Sequence, residues 1–258
     1  TLAGGAAGDR LVLSNHNVFA ISSVVGGGGD DTLAFAESGI SITDDKFVPG
    51  RISGVEVLQT KDGTNYLQVG SNAATRGIKT LVGGVGADTF DAAAFIGGIA
   101  MDAGDGADSL TLKSTTTVGQ STVLGGAGSD TLSIAEAGNL TDTNLKNISG
   151  IEVLRAAETG SSTLTVGENA KAGGLQQVIG GGAADTLDAS GFQGAVTLSG
   201  GQGDDSLVVS TGDNLRSQKI EGGTGTDTLS FAVDQLSVTD ADFANVPSVA
   251  ALNTANGN

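Results

Sequence analysis

The stretch GGAGSDTL, from Gly125 to Leu132, joins a glycine-rich turn to an aspartate and an apolar residue two positions later. The same pattern, slightly varied, occurs eight times in the 258-residue chain. The aligned turn aspartates are Asp9, Asp31, Asp88, Asp108, Asp130, Asp185, Asp205 and Asp227. Their successive spacings are 22, 57, 20, 22, 55, 20 and 22 residues, so clusters of short steps are separated by two long steps. Self-similarity of this kind indicates a repeat architecture.

A longer period of 97 residues relates Asp88 to Asp185 and Asp108 to Asp205. The long steps also resemble each other, because ISGVEVL (52–58) recurs as ISGIEVL (148–154). The segment FANVPSVAAL (243–252) reads as a third start of this pattern. We therefore expect one repeat domain over 1–258 that belongs to a longer array. Its sub-repeats are expected at approximately 1–50, 51–147 and 148–245, with the start of a further repeat at 246–258.

Apolar residues lie two positions after each aspartate and two positions before each turn, with Thr, Ser and Asp between them. This alternation predicts short strands entering and leaving every turn. One such coil cannot bury its own apolar face, but stacked coils form a continuous core. The expected fold is all-β: a parallel β-solenoid (β-roll or β-helix) with coils of about 20–22 residues and glycine/aspartate turns stacked on one edge. SITDDKF (41–47) is predicted to form a helical turn within the first long step.

The net charge of the chain limits the classes of partner that it is expected to bind. Twenty-nine acidic and twelve basic residues give a net charge of −17, which disfavours nucleic acids and anionic membrane surfaces and favours divalent cations. No apolar run reaches the length of a membrane span. Cysteine is absent, which is compatible with an extracellular protein stabilised by something other than disulfides.

The composition of the turns points to calcium. Glycines allow several carbonyl oxygens to converge, and the aspartate adds a carboxylate; such hard oxygen donors suit Ca²⁺. One turn supplies about half of the six to eight ligands required, so we expect an ion between two stacked turns. The alternative is a metal-free tight turn in which the aspartate caps local amides. The candidate glycines of the metal sites are Gly26, Gly28, Gly83, Gly125, Gly128, Gly200, Gly203, Gly222 and Gly225.

The string GGxGxDxL resembles the calcium-binding nonapeptide (RTX, or hemolysin-type) repeats of bacterial secreted proteins. The resemblance implies a parallel β-roll with calcium between stacked turns, held by turn carbonyls and the aspartate carboxylates, and export by a type I system. Asp9, Asp108 and Asp185 depart from the pattern, with Ala7, Ala103 and Ala183 at glycine positions. The spacing of 20–22 residues also departs from the nonapeptide period; such diluted repeats are similar to those of bacterial surface-layer proteins and large cyanobacterial surface proteins or adhesins.

Adjacent aspartates within clusters suggest about five ions, at the pairs 9/31, 88/108, 108/130, 185/205 and 205/227. Asp30, Asp105 and Asp204 are either additional ligands or solvated charges. His16 is the only histidine, and we expect an exposed loop residue rather than a catalytic base. Glu56 and Glu152 are repeat-equivalent and are interpreted as a shared structural position. A threonine column follows the aspartates, but the neighbouring outward column is irregular, which argues against an ice-binding face.

The predicted function is therefore structural: a calcium-binding repeat region of a secreted bacterial cell-surface protein, either lattice-forming or stalk-like, without enzyme activity. The alternatives are the repeat module of a secreted enzyme or toxin, and an adhesin module, whose active domain lies outside this chain. Beyond calcium, the expected partners are further copies of the chain or a cell-surface polysaccharide. The predicted location is extracellular, at the bacterial cell surface.

Overall fold

The structure is a computed structural model that describes residues 1–17, 22–233 and 238–253. Short β-strands dominate it. They are β1 (Leu2–Ala3), β2 (Arg10–Leu13), β3 (Val24–Val25), β4 (Thr32–Phe35), β5 (Ser41–Ile42), β6 (Ile52–Ser53), β7 (Val57–Gln59), β8 (Tyr66–Gln68), β9 (Thr80–Val85), β10 (Thr89–Ala92), β11 (Ala100–Gly106), β12 (Ser109–Leu112), β13 (Thr122–Leu124), β14 (Ala127–Gly128), β15 (Thr131–Ile134), β16 (Asn139–Leu140), β17 (Ile148–Ser149), β18 (Val153–Arg155), β19 (Thr163–Thr165), β20 (Gln177–Ile179), β21 (Thr186–Asp188), β22 (Thr197–Gln202), β23 (Ser206–Val209), β24 (Lys219–Thr224), β25 (Thr228–Phe231) and β26 (Ala251–Asn253).

Short helices fill some of the connections. The α-helices are α1 (Ser71–Thr75), α2 (Thr115–Gln120), α3 (Glu168–Ala172) and α4 (Gly212–Ser217), and 3₁₀ helices lie at Asp44–Lys46, Asp142–Leu145 and Asp240–Phe243. The helical turn predicted within 41–47 is confirmed. The α-helices were not predicted, because five or six residues are too few to show a helical period.

The chain divides into two compact units. Unit 1 comprises Thr1–Lys113 and Gln120–Thr131, and unit 2 comprises Ser114–Gly119 and the chain from Leu132 onward. In unit 1 the sheets run β1-β3-β6, β5-β8-β10-β12 and β2-β4-β7-β9-β11-β13, with β14 also paired to β11. In unit 2 they run β18-β20-β22-β24 and β16-β19-β21-β23-β25-β26. The pairings described between these strands are parallel, for example β10 with β12 and β23 with β25, so the predicted all-β parallel class is confirmed.

The core consists of apolar columns that run from strand to strand. In unit 2, Leu164, Leu187, Leu207 and Leu229 are paired in register, and each is at most 1% exposed. A fully buried leucine contributes about 1.5–3 kcal/mol relative to an exposed one. The intervening residues point outward, as the alternating burial of Ser206–Val209 shows. Thin columns of aliphatic residues therefore replace a globular core.

The prediction that all glycine/aspartate turns stack on one edge is wrong. Register places Thr32 beside Val57 and Val57 beside Thr80 in one sheet of unit 1. The turn that ends at Asp31 immediately precedes Thr32, whereas the turn that ends at Asp88 begins after Val82, at the opposite end of the strands. The cause is the 57-residue step, which is about two and a half coils of 20–22 residues and so shifts the turn by half a coil.

Candidate functional site

The turn aspartates are buried. Asp31, Asp88, Asp108, Asp130, Asp185, Asp205 and Asp227 are at most 3% exposed, and Asp9 is partly exposed. An ionised carboxylate in such a place is costly unless hydrogen bonds or counter-charges compensate for the lost water. The contacts of both carboxylate oxygens therefore define what each turn can do.

One oxygen of each carboxylate links successive coils. The backbone N–H of each aspartate donates to Oδ1 of the equivalent aspartate one coil later. The N···O distances are 2.8 Å for Asp9 to Asp31, 2.7 Å for Asp88 to Asp108, 2.8 Å for Asp108 to Asp130, 2.8 Å for Asp185 to Asp205 and 3.0 Å for Asp205 to Asp227. The structure thus brings together all five predicted pairs, through hydrogen bonds that we call the aspartate ladder.

The ladder also includes three residues that are not turn aspartates: Glu56, which the sequence marked only as a structural position, and Asn65 and Ser162, which it did not indicate. Asp31 N–H donates to Glu56 Oε2 at 2.9 Å, so Glu56 takes the position of the next aspartate. At the start of the other clusters, the N–H groups of Asn65 and Ser162 donate to Oδ1 of Asp88 and Asp185 at 2.8 and 2.6 Å. A signal existed: in EVL, NYL and STL a polar residue stands two positions before a column leucine, as Asp does in DTL.

The second oxygen distinguishes two kinds of turn. In the first turn of each cluster, which we call an opening turn, Oδ2 accepts from the N–H of the second glycine of the same turn. The distances are 2.5 Å for Gly5 to Asp9, 3.3 Å for Gly84 to Asp88 and 2.6 Å for Gly181 to Asp185. In the opening turns of Asp88 and Asp185 both carboxylate oxygens therefore accept backbone N–H groups, as in the metal-free alternative.

The later turns of each cluster, which we call following turns, differ in backbone conformation. Their second glycines have left-handed φ angles: Gly27 (118°), Gly104 (98°), Gly126 (104°), Gly201 (105°) and Gly223 (107°). The second glycines of the opening turns do not. In the following turns of Asp31, Asp108 and Asp205, Oδ2 is buried and has no hydrogen-bond partner among the described residues.

At the first glycine of several turns, opening and following alike, a carbonyl oxygen of the next coil and the aspartate Oδ2 lie close together. A Cβ built on Gly200 would lie 2.3 Å from Asp205 Oδ2 and 2.3 Å from Gly222 O. The corresponding distances at Gly26 are 2.6 Å to Asp31 Oδ2 and 1.5 Å to Gly54 O. A side chain at Gly26 or Gly200 would therefore clash with both oxygens, whereas the turn of Asp108 accommodates Ala103 at the same position. An unpartnered carboxylate oxygen and a carbonyl from the next coil are donors of the type that calcium selects.

Burial and neighbouring charges perturb two of the following turns. The pKa of Asp108 rises to about 6, chiefly because it is buried, with Asp130, Asp88 and Asp105 adding like charge against the N–H of Asp88 that it accepts. The pKa of Asp205 rises to about 6 for the same reasons, with Asp227, Asp185 and Asp204 as the neighbouring carboxylates. Both aspartates are the middle members of their clusters.

The remaining candidates occupy varied positions. Of the predicted glycines, Gly128, Gly203 and Gly225 adopt left-handed φ angles of 144°, 115° and 133°, while Gly28 is exposed. Gly83, Gly125 and Gly222 are first-position glycines like Gly26 and Gly200. Asp30, Asp105 and Asp204 are exposed, and Asp204 Oδ1 accepts from Thr226 N–H at 2.7 Å. His16 is half-buried rather than exposed, with its Nδ1 2.6 Å from Glu37 Oε1.

Among the described residues, no three His, Cys, Asp or Glu side chains form a metal-binding group. A calcium site here would therefore depend on backbone carbonyls to supplement the carboxylates. None of the helices in the described ranges is long and apolar enough to cross a membrane. The chain matches no family model, and no curated protein or solved structure shows significant similarity to it.

Proposed function

We propose that the chain is a β-solenoid whose function is structural: a rigid repeat segment of a secreted bacterial cell-surface protein. The aspartate ladder is the observation on which this proposal depends. Each ladder bond joins the backbone of one coil to a buried side chain of the next, so the recurring aspartates of these coils hold neighbouring coils in register. Register of this kind serves length and stiffness, the properties of a lattice or stalk component.

Calcium is proposed as a second stabilising element, restricted to the following turns. The supporting observation is the set of buried, unpartnered Oδ2 atoms of Asp31, Asp108 and Asp205. In the opening turns the equivalent oxygen already accepts a glycine N–H, so they are poorer sites. A bound divalent ion would offset the repulsion among stacked carboxylates and lower the net charge of −17. Because the unfolded chain has no assembled site, such binding would stabilise the folded state.

Thermal unfolding in Ca²⁺, in Mg²⁺ and in excess chelator, together with a metal count, tests the calcium proposal. We expect a calcium-specific rise in the melting temperature. The double variant Asp108→Asn/Asp205→Asn should lose most of this rise, because it alters two following turns. The matched variant Asp88→Asn/Asp185→Asn alters two opening turns and should keep it. Equal loss in both variants, or no calcium-specific rise in the unmodified chain, would remove calcium and leave the ladder as the sole stabilising device.

The surface location is tested by labelling intact source cells with an antibody raised against this chain. Labelling of unbroken cells is expected for a lattice or stalk component. Signal that appears only after lysis would contradict the proposal. Glycan-array binding by the isolated chain would instead support the adhesin alternative.

A further inference from the structure

A segment that occurs three times in the chain is covered in two copies and exposed in the third. The aligned segments are Phe47–Leu58, Leu145–Leu154 and Phe243–Leu252. Each is preceded by a Thr–Asp pair, with aspartates at Asp44, Asp142 and Asp240. The first two copies show what covers the segment.

In the second copy, the cover is helix α3 and the residues that flank it. Leu145, Ile148, Ile151 and Leu154 line an apolar cavity of about 10 Å³ together with Ala170, Gly173 and Leu175. Asp142 Oδ1 accepts from the N–H groups of Gly167 at 2.8 Å and Ala170 at 3.0 Å, and Asp142 Oδ2 accepts from Asn169 N–H at 3.0 Å. The strand that follows, β20, pairs with β18 through Val153–Gln177 and Leu154–Val178.

The first copy repeats this arrangement. Asp44 accepts from the N–H groups of Gly70, Asn72 and Ala73 at 2.7, 3.1 and 2.9 Å. The strand after α1, β9, pairs with β7 through Leu58–Leu81. The covering segments are VGSNAATRGI (69–78) and VGENAKAGGL (166–175). Their shared pattern is V-G-x-N-A-x₃-G-[I/L]. The backbone N–H groups of its Gly, Asn and Ala donate to the aspartate, and its Ala and Ile/Leu side chains cover the apolar residues.

The third copy presents the same surface without this cover among the described residues. We call Asp240, Phe243, Val246, Val249 and Leu252 the docking face. Leu252 is 56% exposed, whereas its equivalents Leu58 and Leu154 are 0% and 1% exposed. Phe243, Val246 and Val249 are partly exposed, although their counterparts in both other copies are buried. Asp240 is exposed, and β25 is the described neighbour of β26.

We propose that the docking face binds a partner segment of the pattern V-G-x-N-A-x₃-G-[I/L] followed by a strand. The N–H groups at the start of the partner's helix would donate to the Asp240 carboxylate, and the helix would cover Leu252. The partner's strand would pair with β26 as β20 pairs with β18. This is strand addition combined with apolar burial, with the contacts repeated from two internal interfaces. The proposal rests on the proposed repeat architecture but is independent of calcium.

The test uses a fluorescently labelled synthetic peptide with the sequence of Thr163–Ile179. Its binding to the intact chain is measured by fluorescence anisotropy, once in calcium and once in chelator. We expect saturable binding in both conditions. Asp240→Ala and Leu252→Asp should each weaken binding at least about tenfold, because one removes a charged acceptor and the other the apolar contact. Asp102→Ala, which removes an exposed carboxylate in unit 1, is the control and should bind normally.

A peptide carrying Ala170→Glu should bind poorly, since a charge would enter the apolar contact. The proposal would be overturned if binding did not saturate below about 1 mM, or if the Asp240→Ala and Leu252→Asp variants bound the peptide as tightly as the unmodified chain does. Calcium-independent binding combined with no calcium effect on melting would retain the docking face while rejecting the metal.

Discussion

Opening and following turns share a sequence pattern but differ in what their aspartates do. Asp185 and Asp205 are 20 residues apart and both donate into the ladder, yet Asp185 Oδ2 accepts Gly181 N–H while Asp205 Oδ2 has no described partner. The difference coincides with the second glycine, which is left-handed in the following turn. Unit 1 shows the same contrast between Asp88 and Asp108. The same sequence motif therefore gives either an aspartate whose Oδ2 accepts a glycine N–H or an aspartate whose Oδ2 has no partner. Which of the two forms depends on the position of the turn in its cluster.

The largest loss of stability is expected when a side chain is added at the second glycine of a following turn. Gly223→Ala places a Cβ at φ 107° and 2.1 Å from Gly201 O, so it combines left-handed strain with a backbone clash. We expect a loss of about 3 kcal/mol or more in the free energy of unfolding, measured by chemical denaturation. Gly194→Ala is the control, because Gly194 has φ 118° but open space around it, and its cost should be about 1–2 kcal/mol. Equal costs would show that the contact with the neighbouring coil is unimportant.

Removal of a ladder acceptor should have the next largest effect. Asp205→Ala leaves the buried N–H of Asp185 without its 2.8 Å partner, at an expected cost of about 1–3 kcal/mol. Asp205→Asn retains an acceptor and removes a buried charge, so in chelator at neutral pH it should be neutral or stabilising. Urea denaturation of the two variants separates the roles of hydrogen bond and charge. A large loss in Asp205→Asn would mean that the charge itself is needed.

The raised pKa values of Asp108 and Asp205, about 6 each, predict a pH dependence specific to following turns. The folded state binds these protons more tightly than the unfolded state, so the free energy of unfolding should fall as pH rises from about 4 to about 6. Glu37, Asp45 and Asp242 have lowered pKa values, and the stability they add is lost only as pH falls below about 4.

Denaturant midpoints between about pH 4.5 and 7 in chelator measure this dependence in the window where the two aspartates dominate. The variant Asp108→Asn/Asp205→Asn should flatten the profile. The opening-turn variant Asp88→Asn/Asp185→Asn should retain it. If the denaturant midpoint of the Asp108→Asn/Asp205→Asn variant kept the same dependence on pH, groups other than these two aspartates would be its cause.

The smallest expected effect comes from extending the ladder. The third repeated segment has Ala250 where Glu56 stands in the first, and Asp227 O accepts from Ala250 N–H as Asp31 O accepts from Glu56 N–H. Ala250→Glu would offer the N–H of Asp227 the acceptor that Asp31 has. We expect a gain of about 0.5–1.5 kcal/mol, seen as a higher denaturant midpoint. Ala250→Gln tests whether the charge adds to the hydrogen bond, and a loss of stability in both would contradict the equivalence.

The sequence by itself determined the repeat, the strand alternation, the apolar columns and the five aspartate pairs, because these depend on spacings that recur within one coil or between adjacent coils. It did not reveal that Glu56, Asn65 and Ser162 belong to the ladder, since their residue types differ and only register aligns them. Nor did it show that the turns lie at two ends of a sheet, which follows from the half-coil left over in the long steps.

Only the tertiary structure decided which aspartates accept a glycine N–H at Oδ2 and which have an unpartnered Oδ2. The opening turn GGVGAD (83–88) and the following turn GGQGDD (200–205) have glycines at the same three positions, so glycine placement does not distinguish the two kinds of turn. The φ of the second glycine depends on the coil against which the turn stacks, and glycine permits either hand at little cost. Contacts between coils therefore select the conformation, and with it the chemistry that each carboxylate can offer.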